Sequence, residues 1–149
     1  MDQNMKTKRL RFLINHAPTL INHENEVDFK TKPSPTKWSK QEILGHLIDS
    51  ATNNHQRFVR SQFEEIPEIP YDQNEWNKCS YYNSISKTQL VKFWKSYNEQ
   101  ILSLIELIPK EKLIKLCNTG GNENFTIEYL FNNYVEHLEY HLKKIVNID

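Results

Sequence analysis

The chain has 149 residues, a length that predicts a single domain covering residues 1–149. Its 19 Lys and Arg residues balance its 19 Asp and Glu residues. There is thus no excess of positive charge to favour binding to nucleic acid or to an anionic membrane. The chain contains only 3 Gly and 6 Pro residues, and so few chain breakers argue against an all-β sandwich and favour long helices.

Cysteine usage and the N-terminal sequence indicate the compartment. Cys79 and Cys117 are far apart in the sequence and form neither a CxxC motif nor a disulfide framework, which suits a reducing compartment. The first 20 residues lack an unbroken apolar run, and no segment approaches the length of a transmembrane helix. We therefore expect a cytoplasmic protein without a membrane span.

Four long helices are predicted in chain order, and together they indicate an all-α, antiparallel four-helix bundle. Two of them begin with capping-box patterns, at Ser39 with Glu42 and at Ser86 with Gln89. Pro18 makes the end of the first helix difficult to place, whereas Gly120 and Gly121 suit a turn before the last helix. The predicted spans are 2–21, 39–63, 86–108 and 126–146.

A long connection, residues 64–85, separates the second and third of these helices. It contains Tyr71, Trp76, Tyr81 and Tyr82, and this aromatic content argues against disorder. Long connections inside a compact domain are usually functional or disordered. We therefore expect an ordered loop that folds back over the bundle.

Two histidines of the last predicted helix are neighbours on one helical face. His137 and His141 are four residues apart, at one edge of an apolar stripe, so both should point inward. They are either hydrogen-bonded core histidines or a pair whose imidazoles converge on a metal ion. Because Leu138 follows His137, the HExxH motif of zinc proteases is absent.

His46 lies off the apolar stripe of the second predicted helix. It shares its face with Asp49, Asn53 and Arg57, which is either a solvated face or the polar wall of a cleft. His55 falls on the opposite, apolar side and is predicted to be a core histidine. His16 and His23 have no partner pattern, so we interpret both as structural.

The residues of these helices resemble those of DinB-like proteins, specifically the YfiT-type branch. The second predicted helix contributes Trp38, the capping box and the run from Gly45 to Ser50. The connection contributes a YD…W segment from Tyr71 to Trp76, and the last helix contributes the HxxxH from His137 to His141. The resemblance extends over about residues 37–145. It implies a four-helix bundle that binds one divalent metal, with His46, His137 and His141 as ligands; Zn, Ni and Fe all suit imidazoles.

The resemblance also implies an enzyme acting on a small molecule. Its metal would activate either a low-molecular-weight thiol for transfer to an electrophile or a water for hydrolysis. We favour thiol transfer because the acidic candidates Glu42, Asp49 and Glu136 each lie to one side of the histidines on their helices, and a thiolate needs no separate base. A metal-binding stress-response protein without catalysis is the remaining alternative.

Four side chains are predicted to contact the substrate. Asn53 and Arg57, about two and three turns after His46, would bind polar or anionic groups, unless they are simply solvated. Tyr71 and Trp76 would cover the cleft, unless they only pack a long loop. The sequence does not determine whether the chain is a homodimer. If it is, exposed apolar bundle surface should form the interface.

Overall fold

Four long helices and a small hairpin make up the fold of the computed structural model, which describes residues 3–149. Two short helices and two 3-10 turns, at Tyr82–Ser84 and Lys110–Lys112, connect them. The predicted start of the first helix at Asp2 lies outside the described residues. The helices and strands are α1 (Gln3–Asn22), α2 (Glu26–Lys30), α3 (Lys40–Arg60), α4 (Gln73–Lys78), α5 (Lys87–Leu107), β1 (Leu116–Asn118), β2 (Asn124–Thr126) and α6 (Ile127–Leu142).

The helix starts follow the capping residues closely. Ser39 and Glu42 form a complete capping box, in which each side chain accepts a hydrogen bond from the other's backbone N–H, at 3.0 and 2.9 Å. At Ser86 half of the predicted box forms, because its hydroxyl accepts from the Gln89 N–H. Thr126 caps α6 in the same way. The ends of α3, α5 and α6 come three, one and four residues earlier than predicted.

The long helices pack so that α1 and α3 each contact both α5 and α6. Consequently α1 and α3 occupy opposite corners of the bundle. Trp94, Phe58 and Phe131 are fully buried between the helices, and aromatic side chains of this size supply much of the core volume. The predicted all-α four-helix bundle is confirmed. No helix within residues 3–149 has the length and apolarity needed to cross a lipid bilayer.

The connection between α3 and α5 is ordered and folds against α3, as predicted. It includes α4, which contacts α3, and the Asn77 amide donates to the Glu42 carbonyl at 2.8 Å. The hairpin of β1 and β2 was not predicted. Its antiparallel strands pair Cys117 with Phe125, and Gly120 in its loop has a φ of 107°, a value that glycine adopts readily.

Candidate metal centre and adjoining cavities

Three histidines from two helices come together between α3 and α6. His46 lies on α3, and His137 and His141 lie one turn apart on α6. One ring nitrogen from each lies within 4.8 Å of the other two, and the ring centroids are 4.5–4.9 Å apart. The Nε2 atoms of His46 and His137 face each other at 3.1 Å. We call these residues the histidine cluster.

Burial keeps the histidine cluster uncharged. His46 is only 1% exposed, and the other two are half-buried. Burial, followed by repulsion from the other two histidines, lowers the pKa of His46 to about 3. Burial also lowers the pKa of His137, and burial with repulsion from His137 and Lys144 lowers the pKa of His141 to about 4. At neutral pH all three imidazoles are therefore neutral, which is the form that binds metal ions.

The donor set fits a divalent metal. The two ring nitrogens that face each other at 3.1 Å can both direct lone pairs at one ion when neither carries a proton. Bonds of about 2.0–2.1 Å to a common ion place imidazole nitrogens at similar separations. The Nδ1 atoms of His46 and His141 are buried without a hydrogen-bond partner among residues 3–149. Such orphaned polar atoms are costly in a core, so the cluster lowers stability, as is common at binding sites.

One cavity reaches the histidine cluster from the outside. This outer cavity has a volume of about 520 Å³ and is lined by His141, Trp38 and two lysines, Lys37 and Lys144, among others. The Trp38 ring lies 4.9 Å from the His46 ring. Trp38 therefore forms part of the cavity wall and covers His46.

A second cavity adjoins the cluster at His137. This inner cavity has a volume of about 220 Å³, and its lining includes Asn54, Arg57, Tyr71 and Tyr134. Arg57 is 8% exposed. Its Nε and Nη2 groups donate to the Ile69 carbonyl at 3.0 and 2.8 Å.

Two of the four predicted substrate-contacting residues line the inner cavity, and the other two do not. Arg57 and Tyr71 meet at the inner cavity, with the guanidinium carbon 5.8 Å from the centre of the Tyr71 ring. Trp76 lies edge-on to Tyr71 at 5.9 Å and is 37% exposed. Asn53 is buried and donates to the Asp49 carbonyl at 2.9 Å, whereas its neighbour Asn54 lines the cavity.

Two of the three acidic candidates are paired with lysines, and the third keeps one carboxylate oxygen without a partner within residues 3–149. Glu42 belongs to the capping box and pairs with Lys32, and Glu136 is an exposed partner of Lys6. Asp49 is 2% exposed and accepts a short hydrogen bond from the Tyr82 hydroxyl. Burial raises its pKa to about 6 although the Tyr82 hydrogen bond opposes this, and its Oδ2 atom has no partner among the described residues.

Close packing at Gly45 positions the Tyr82 hydroxyl. A Cβ atom at Gly45 would overlap the Tyr82 ring, so only glycine lets this ring lie against the α3 backbone. Sequence reasoning did not identify Tyr82 or Asn54 as site residues. His55, predicted to be in the core, is half-buried and hydrogen-bonds to the Tyr97 hydroxyl at 2.9 Å.

Solved structures share this fold. YfiT from Bacillus subtilis, described as a probable metal-dependent hydrolase with an unusual four-helix bundle topology, superposes with a TM-score of 0.82 at 20% identity, covering 97% of this chain and 86% of that one. A mycothiol-dependent maleylpyruvate isomerase superposes with a TM-score of 0.79 at 9% identity, covering 97% of this chain and 61% of the isomerase. At these identities the likeness concerns the fold.

Sequence comparisons find two relatives and one family model that match the chain. A relative from Oceanobacillus iheyensis, named by inference as a metal-dependent hydrolase, is 24% identical over 93% of this chain and 80% of its own length. YfiT, named in the same way, is 23% identical over 74% of this chain and 64% of its own length. The model of the DinB superfamily matches residues 19–145. The chain belongs to the DinB superfamily.

Proposed function

We propose that the chain binds one divalent metal ion through His46, His137 and His141 and acts as a metal-dependent enzyme on a small molecule. The observation that carries this proposal is the convergence of three neutral ring nitrogens within 4.8 Å of one another. The names of the relatives from Oceanobacillus iheyensis and Bacillus subtilis, which assign metal-dependent activities to them, support it. Zn, Ni and Fe all suit three imidazoles.

The reaction we favour is transfer of a low-molecular-weight thiol to a small electrophile. A bound divalent ion would act as a Lewis acid that lowers the pKa of a coordinated thiol. Glu42, Asp49 and Glu136 are held by Lys32, Tyr82 and Lys6 respectively. A mechanism without a separate carboxylate base therefore suits this site best.

The surrounding side chains would bind the substrate and exclude water from the reacting groups. Trp38 covers His46 from the outer cavity. Tyr71 and Trp76 would close the other side, and Arg57 with the buried amides of α3, Asn53 among them, would fix the polar end of the substrate. Exclusion of water strengthens each electrostatic contact inside such a site.

Hydrolysis of a small molecule is the second candidate, and Asp49 is the observation that favours it. Its raised pKa of about 6 and its unpartnered Oδ2 are properties of a general base working near neutral pH. The names of the two sequence relatives point the same way.

Turnover distinguishes the candidates. The purified protein is analysed for metals and then incubated with a thiol and monochlorobimane, where a C–S bond forms, the C–Cl bond breaks, and a proton and chloride leave. We expect conjugation by the wild type and loss of both metal and conjugation in His46→Ala. Cleavage of esters or amides without added thiol would instead identify a hydrolase, and bound metal with neither activity would leave a binding protein.

A matched histidine substitution controls this experiment. His23 is exposed and is not part of the cluster, so His23→Ala removes an imidazole that is no predicted ligand and should retain metal and activity. Absence of metal from the wild type after native purification and after reconstitution would contradict the proposed site.

The remaining expectations belong to the same proposal. The chain would act as a single domain in the cytoplasm, where its free thiols Cys79 and Cys117 would stay reduced. A homodimer, if formed, would show as twice the monomer mass in light scattering.

A further inference from the structure

The inner cavity contains a buried positive charge without a buried negative partner. Arg57 is 8% exposed, and its hydrogen bonds within residues 3–149 go to the Ile69 carbonyl and, at 3.4 Å, to the Asn54 side-chain oxygen. Both acceptors are neutral. A buried charge that lacks a counter-ion is costly unless something else supplies one.

The walls of both cavities are free of acidic side chains. Among residues 3–149, the lining of the inner cavity includes one cation, Arg57, and the lining of the outer cavity includes two, Lys37 and Lys144, with no Asp or Glu in either. This asymmetry occurs in a chain whose formal net charge is zero. The linings of both cavities are thus positive, which favours anionic ligands.

The guanidinium is held in place before any ligand binds. Asn54 accepts from Arg57, and its own amide donates to the Ser50 carbonyl at 2.8 Å. Tyr71 lies against the guanidinium. A guanidinium has five N–H donors, so Arg57 retains donors beyond those used for Ile69 and Asn54.

We propose that the substrate of this site carries a carboxylate, which binds Arg57 in the inner cavity while the reacting end of the molecule lies at the histidine cluster. The inference rests on the proposed function. A carboxylate matches the single charge of Arg57 and can accept from the Nη donors that Ile69 and Asn54 leave free. The cavity, at about 220 Å³, is below the about 300–1,000 Å³ of drug-sized sites, so the carboxylate belongs to a short molecule.

Matched thiol probes test the proposal. Co(II)-loaded protein is titrated with 3-mercaptopropionate and with 3-mercaptopropanamide, and binding is followed by the visible spectrum of the metal. Both probes have the same thiol and differ in the charge of the far end. We expect the carboxylate probe to bind about tenfold or more tightly, as charge-assisted hydrogen bonds do. Equal affinity for the two probes would overturn the proposal.

Variants assign any preference to Arg57. Arg57→Met should remove the preference for the carboxylate probe over the amide probe, while Arg57→Lys should retain part of it. Arg60→Gln is the matched control. Arg60 lies about one turn after Arg57 on α3 and pairs with Glu64. Unchanged preference in Arg57→Met would overturn the proposal. Should Arg57→Met fail to fold, the Arg57→Lys and wild-type titrations decide.

The experiments can disprove the proposed metal site and the proposed carboxylate site independently. If the protein takes up no Co(II), the proposed function fails, and the carboxylate is tested on metal-free protein through the NMR signal of the Arg57 Nη–H groups. A shift of that signal with propionate but not with propionamide supports the proposal. The absence of such a difference contradicts it.

Discussion

Helices α1 and α3 are nearly equal in length, 20 and 21 residues, and pack against the same two helices, yet they bury different chemistry. The buried side chains of α1 are apolar apart from Lys6. Those of α3 include His46, Asp49 and Arg57 among its apolar residues. One corner of the bundle therefore serves packing alone, while the other combines packing with a buried polar wall.

The polar wall of α3 is buried because the connection after α3 returns to cover it. Tyr82 packs on Gly45, and Arg57 holds the Ile69 carbonyl. Within the described residues this wall leaves Asp49 Oδ2 and His46 Nδ1 without partners. Since unsatisfied buried groups lower stability, α3 gives up stability that α1 keeps, as is expected of a site that binds something.

The largest change in stability is expected from a substitution in the core of α1. Leu13 is fully buried, so Leu13→Ala should lower the free energy of unfolding by about 2–5 kcal/mol through a cavity in the core. Metal content should stay at the wild-type level. Urea denaturation and elemental analysis check the two parts. Leu107→Ala, at a side chain 78% exposed, is the control with little expected effect. Loss of metal in folded Leu13→Ala would contradict the view that α1 serves packing alone.

A smaller effect is expected at Gly45 of α3. Gly45→Ala places a methyl group where the Tyr82 ring lies, and overpacking of this kind costs about 1–3 kcal/mol. Thermal unfolding measures the loss. The matched control is Gly121→Ala, because a Cβ atom there meets nothing within 4 Å. Equal stability of both variants would show that the Tyr82 ring does not pack against Gly45 as described.

The smallest effect concerns pH and Asp49. A carboxyl whose folded pKa is raised from 3.8 to about 6 contributes stability that is fully present below pH 3.8 and is lost as the pH rises through about 6. Asp49→Asn keeps an acceptor for Tyr82 without the charge. In metal-free protein it should therefore be more stabilising, relative to wild type, at pH 7.5 than at pH 5. Asp28→Asn, on an exposed residue of α2, should show no such change; an identical pattern in both would contradict the burial of an ionised Asp49.

The sequence allowed the prediction of much of this arrangement. Ser39 and Thr126 mark helix starts because their hydroxyls satisfy free N–H groups locally, and the spacing of His137 and His141 places them on one face. That α3 and α6 are neighbours is a long-range property, which the family resemblance implied and the helical periodicity did not. The β1–β2 hairpin was not predicted because strands of three residues are too short to show an alternation of apolar and polar side chains.

The buried polar wall was the least predictable feature. On a helical wheel, His46, Asp49, Asn53 and Arg57 look like a solvated face, and only the covering connection reverses this. Asn54, the next residue after Asn53, lines the inner cavity and was not predicted, because neighbouring residues differ by about 100° around a helix.

We propose that the histidine cluster holds one metal ion. Anomalous diffraction from crystals of the metal-loaded protein tests it most directly. We predict a single strong peak within about 2.0–2.2 Å of a ring nitrogen of each of His46, His137 and His141. A peak bound by other residues, or none at the cluster, would contradict this account.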